Sequence, residues 1–232
     1  MNDNEVKEIT DKIFKSIFGT IANLNIDEIK EKFAFDVVLP YEVKDIITGE
    51  ITYADAKKNE KYITPTNLEK IDQTSGLMQN YIKFESIQSI LDTWNRINFT
   101  VTERVYDSIN VSKSDTIYRC EKVYGSTNCN DAKNIVYCDT CGNSEYMLAC
   151  SRSFYSSFSI RVDDSANCSN SYCVQCSNKI VNSLFIDDCF DLYECIFCSH
   201  IASKKFCIAN VQLEEREYYA LKKKIIEWIF KS

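Results

Sequence analysis

Cysteine is the residue type in this chain best suited to chemistry. The sequence of 232 residues holds twelve, all between Cys120 and Cys207. Cys138/Cys141, Cys173/Cys176 and Cys195/Cys198 have Cys-x-x-Cys spacing, and the last two pairs form a C-x2-C-x18-C-x2-C array. That spacing suits a four-thiolate zinc site, which holds its ligands on tight turns. Yet Val174-Gln175 and Ile196-Phe197, between the paired cysteines, favour strands. Only Cys138-Asp-Thr-Cys141-Gly142 resembles a zinc knuckle. The expectation is therefore reduced thiols used as small apolar filling, with no residue assigned as a metal ligand.

The remaining reactive side chains are few. His200 is the only histidine. Cys198 and Cys207 lie too near it along the chain to form a nucleophile–base pair, and no orienting group is evident. Asp163, Asp164, Asp187, Asp188 and Asp191 supply carboxylates that a carbohydrate-active β-helix would use as acid and base. Adjacent aspartates also serve commonly as corner residues that cap backbone N–H groups. Phe154, Tyr155, Phe158 and Tyr172 would stack on a ligand or simply support a β-face. Neither G-x-G-x-x-G nor a P-loop occurs. These observations predict no catalytic residue, no cofactor-binding residue and no enzymatic activity.

The elements that carry these residues follow from spacing. Cys120, Cys129 and Cys138 are nine residues apart, as are Cys141/Cys150 and Cys189/Cys198/Cys207, while Cys150 and Cys168 are eighteen apart. Ile117-Tyr118 and Ile135-Val136 keep the same eighteen-residue interval. A fixed interval of this kind marks stacked coils that bury an inner face together. Residues 106–211 thus read as a Cys-rich β-solenoid, with coils of varying length around 150–190. With only five glycines and two prolines in the chain, Asn and Ser are expected at its corners.

Residues 1–105 read as an α+β docking or capping unit. An amphipathic helix over 5–24 carries Val6, Ile9, Ile13, Ile17 and Ile21, widened by Phe14 and Phe18. A helix over 27–33, a strand over 34–39, a hairpin around Gly49 and a long loop over 54–80 follow. A second amphipathic helix over 86–97 has Ile87, Ile90, Leu91 and Trp94 on one side, and a strand is expected over 99–105. Residues 212–232 form a C-terminal capping helix, acidic early and lysine-rich later. The net charge of −7 shows no basic stripe, which argues against nucleic acid. No eighteen-residue apolar run argues for a membrane span. The polar start Met1-Asn-Asp-Asn-Glu-Val-Lys predicts cytoplasmic synthesis without secretion.

Toward the end of the Cys-rich region the residues become more specific. Tyr193-Glu-Cys-Ile-Phe-Cys198, Lys204-Lys-Phe-Cys-Ile-Ala-Asn210 and Glu214-Glu-Arg-Glu-Tyr218 resemble the closing segment of Cys-rich parallel β-helix repeat proteins of tailed phages and small-genome bacteria. The resemblance covers roughly residues 114–220. It implies a right-handed parallel β-helix and transfers no catalytic residue. Ser153, Ser159 and Ser183 stand where such coils carry cysteine, which argues against a thiolate metal set. The fold expected is mainly β: a solenoid between an α+β N-terminal unit and a capping helix. The function expected is a non-enzymatic structural or assembly protein, a phage virion component or docking scaffold. Its partners would be other protein subunits, copies of itself included, with no nucleic acid, membrane or small molecule. The alternatives are a zinc-stabilised interaction module and a carbohydrate-binding or carbohydrate-active β-helix.

Overall fold

In the computed structural model, which describes residues 1–57, 61–72 and 74–231, the chain winds into about nine turns of a β-solenoid. The rung is twelve residues long. Val105 pairs with Ile117, Asp115 with Thr127, Lys133 with Glu145, Ser157 with Ser169 and Cys195 with Cys207, all in parallel. This corrects the nine-residue interval taken from the cysteines. From Ile117 to Cys198 every third residue is buried, so each rung has four inward columns. Cysteines nine or eighteen apart sit in different columns, and their spacing reports the three-residue step within a rung.

The residue before each of these inward positions is left-handed, with φ between 45° and 60°. Such backbone favours Gly, then Asn and Asp, and Asn128, Asp131, Asn134 and Asn143 match that preference. Tyr137, Arg152 and Phe185 do not, and for them rung-on-rung packing holds the conformation. Inside, Ser and Cys do the same work. The Ser126 hydroxyl donates to Tyr124 O (2.9 Å) and accepts from Cys138 N (3.0 Å), one rung on. Cys138 repeats the pattern with Val136 O and Cys150 N, each at 3.3 Å. A small side chain with one donor and one acceptor thus satisfies a corner amide that the sheets leave unpaired. Near 150–190 the rung stays twelve residues long, against expectation. Strands begin at Lys133 and Glu145 before this region and at Asn178 and Leu184 after it. The corners have moved by three residues, across the seven-residue strands Ser157–Asp163 and Ser169–Gln175.

One flank of the solenoid is apolar on its outside as well. Tyr124, Val136, Leu148, Ile160, Tyr172, Leu184, Ile196 and Ile208, twelve apart, form a single stripe that belongs to the second hydrophobic core. Helices α1 (Asp3–Phe18), α2 (Ile26–Phe33) and a C-terminal helix (Glu215–Lys231) cover it. The Met1 amino group donates to Ser112 Oγ (2.6 Å), and Phe18 meets Tyr172 edge-on at 5.5 Å. Helix α1 therefore runs beside the axis over five rungs. Sixteen residues at ~1.5 Å and five rungs at ~4.8 Å both come to ~24 Å. The C-terminal helix returns along the same flank, with Tyr218 against Phe206, Trp228 against Phe185 and Phe230 against Phe18. Neither helix caps an end. Each is drawn to the stripe because that is where apolar area remains to be buried.

The rest of the N-terminal unit sits at one corner of the first rung. Strands β1 (Tyr41–Lys44) and β2 (Ile51–Ala54) form the expected hairpin, with Gly49 at φ 73°. Residues 34–39 are not a strand. The expected long loop contains β3 (Tyr62–Ile63) and α3 (Pro65–Glu69), while residues 58–60 and 73 lie outside the described part. Helix α4 (Ile87–Trp94), capped by Ser86, turns Ile87, Ile90, Leu91 and Trp94 to solvent. Strand β4 (Thr100–Val101) pairs with β3. The strand expected over 99–105 breaks at Glu103, where φ is 47°, before β5 (Val105–Tyr106) and β6 (Ile109–Ser112) open the solenoid. Buried Asp115 fastens the corner, accepting from Asp55 N and from both Nε and Nη2 of Arg104.

Candidate functional site

The left-handed step that aims every third residue inward aims the residue before it outward. On the face opposite the helices this builds a column of Arg152, Asp164, Cys176, Asp188 and His200, one residue per rung. A second column two residues on carries Phe154, Ala166, Asn178 and Phe190. Between them runs an open groove of about 1000 Å³, floored by Ser165, Ser177 and Cys189. Ala166 and Asn178 keep it shallow, while the two phenylalanines wall it at positions three rungs apart, ~14 Å.

Its polar wall is a ladder of hydrogen-bonded polar side chains. Arg152 Nη2 donates to Asp163 Oδ1 (2.7 Å) and Asp164 Oδ2 (2.8 Å). His200 Nδ1 lies 2.8 Å from Asp188 Oδ2, and the Ser203 hydroxyl donates to Asp191 (3.0 Å). Hydrogen bonding from Arg152 holds the Asp164 carboxyl below its ordinary range. Partial desolvation and the neighbouring aspartates push the Cys176 thiol up. Asp164 is thus a fixed carboxylate, unsuited to donate a proton as a glycosidase acid must. Cys176 is a thiol, separated from His200 by the rung of Asp188, ~10 Å in all. The groove presents charged and aromatic surface.

Ten of the other cysteines are interior. Cys129, Cys138 and Cys150 are fully buried, and burial pushes their thiols well up. The four cysteines of the zinc-like array diverge. Cys195 and Cys198 point inward, whereas Cys173 lies half-buried beside Arg161 and Cys176 is exposed in the groove. Among the described residues no three His, Cys, Asp or Glu side chains converge as metal ligands.

Of the residues singled out in the sequence, Asp164, Asp188, His200 and Phe154 meet in the groove. Cys198 and Cys207 lie inside the tube, away from His200. Tyr172 is half-buried against α1, and Phe158 stacks on Tyr146 at 4.5 Å on the helix side. Arg152 and Phe190 were missed, and Cys176 was weighed only as a zinc ligand. The twelve-residue interval would have found them, since Arg152, Asp164, Cys176, Asp188 and His200 are successive multiples of it. Among known proteins, no family model, curated sequence or solved structure matches this chain.

Proposed function

We propose that the protein is a non-enzymatic docking scaffold that holds another protein chain in the groove of its helix-free face, within a larger assembly such as a phage particle. The observation that carries this reading is the groove itself. It is an uncovered trough on a rigid stack of rungs, with aromatic walls and a charged column. Its column holds Asp164 and Asp188 against Arg152, with Asp163 on Arg152, Lys179 over Phe190, and Asp187 and Asp191 next to lining residues along the chain. The excess of negative charge favours a partner segment bearing Lys or Arg. Cys176 supplies the test, being the one exposed thiol of the twelve. Protein carrying a thiol-linked photo-crosslinker at Cys176 is irradiated in its native assembly. One defined protein adduct, weakened by Asp188→Lys, is expected. The absence of an adduct, or one indifferent to Asp188→Lys, overturns the reading.

A second reading, carbohydrate binding, rests on Phe154 and Phe190, which would stack on sugar rings of a polysaccharide lying along the axis. Glycan-array binding lost in Phe190→Ala favours it. A blank array eliminates it.

A further inference from the structure

We propose that the open first rung is a self-association edge through which two copies of this chain stack head to head. Every interior turn of the tube has a rung on each side. In contrast, β5 and β6 pair only with the strands that follow them, Asp115–Tyr118 and Glu121–Tyr124. The N-terminal unit pairs no strand with this edge: it is tied to the corner at Glu103, Arg104 and Asp115 and meets β6 only through side chains, Asn110 with Glu5 and Ser112 with Met1. Val105, Ser108, Val111 and Ser114, the inward residues of the first rung, line a depression of about 380 Å³ at the mouth of the tube. Beside it Ile109 is 66% exposed. A parallel edge with apolar side chains and free amides templates pairing unless it is covered.

The occupant follows from the shape of the edge and from the other end. This rung is a twelve-residue loop with four inward columns, and the surface known to fit such a loop is another like it. Coil on coil is the contact repeated through the molecule, and a second copy would continue both sheets. The far end is closed. Val211–Gln212 folds back antiparallel on the last long strand, Ala202–Ile208. There the Gln212 side chain donates to Lys205 O, and Asn210 bonds Ser199 through both its amide atoms. The return strand thus obstructs head-to-tail stacking at Cys207 and Ile208, where no such strand guards the first rung. A two-fold axis perpendicular to the sheets sets β6 antiparallel to β6 of the second copy and stops growth at two chains.

This inference extends the scaffold reading but is tested apart from it. Light scattering and native mass spectrometry of the full chain are expected to give a dimer of the 26.8 kDa chain. Ile109→Lys and Val105→Lys place charge on the edge and should each halve the mass. Val211→Lys, at the closed end, should leave the dimer intact. Far-UV circular dichroism shows that each variant has kept its fold, and amides 105–112 should exchange faster in the Ile109→Lys monomer than in the wild-type dimer. A wild-type monomer at every concentration overturns the proposal, as do filaments or a dimer that survives both edge substitutions. So does a dimer lost on Leu91→Lys, which would place the contact on α4. A monomeric result would leave the Cys176 crosslinking test standing.

Discussion

Ten cysteines and a set of serines share one role in this protein, that of a compact inward side chain which donates to its own rung and accepts from the next. Ser126 and Cys138 occupy the same column, twelve residues apart, and make equivalent contacts. Volume and one donor–acceptor pair matter there, while thiol reactivity does not. Nine of the ten thiols are pushed up, Cys198 alone being held down by its hydrogen bond with Cys195, and burial blocks reagent access to all ten. In native protein, a thiol reagent is therefore expected to label Cys176 at once and half-buried Cys173 more slowly. The ten inward cysteines should react only after unfolding. Electrospray mass after timed alkylation counts the adducts. Early labelling of Cys138 or Cys195 would contradict an inert interior.

The elements differ in what holds them. Helix α1 offers an apolar face wider than a free surface helix needs, and the solenoid flank buries it from Val6 to Phe18, while Ile21, beyond the end of the helix, stays exposed. Phe14 is fully buried among Phe18, Phe33 and Phe230, with ring centroids 6.1, 5.3 and 6.2 Å away. Phe14→Ala should lower unfolding free energy by ~3–5 kcal/mol, the usual range for an aromatic ring lost from a packed core. Trp94→Ala on α4, where the ring is half exposed, should cost far less. Denaturant midpoints of the two variants make the comparison, and equal losses would mean that α1 is not clamped on the flank. The apolar face left over in the N-terminal unit is that of α4.

At the scale of the whole molecule, one number organises the packing. Twelve residues per rung keep four inward columns, one apolar stripe and one charged column in line. Deleting residues 127–138 removes a full rung and preserves every column. Deleting 130–138, the nine-residue cysteine interval, preserves the inward pattern but turns the stripe a quarter rung out from under α1. The first variant should keep β-type circular dichroism and a cooperative melt at lower temperature. The second should lose the cooperative melt. If the nine-residue deletion were the better tolerated, the twelve-residue rung would be wrong.

The solenoid was legible because small inward residues recur at multiples of three, and that recurrence is local to the chain. The amphipathic helices were legible for the same reason, since their periods lie within a few turns. Even the two misfit sulfurs could be read: Cys173 and Cys176 alone fall off the multiples of three that the other ten obey. The rung length was hidden, because four equivalent inward columns turn a twelve-residue period into an apparent nine. The destination of the helices, the convergence of Arg152, Asp164, Cys176, Asp188 and His200, and the open first rung were decided only by tertiary structure. Each depends on which residues twelve, twenty-four or forty-eight positions apart come to lie side by side, and stacking of the rungs alone brings them together.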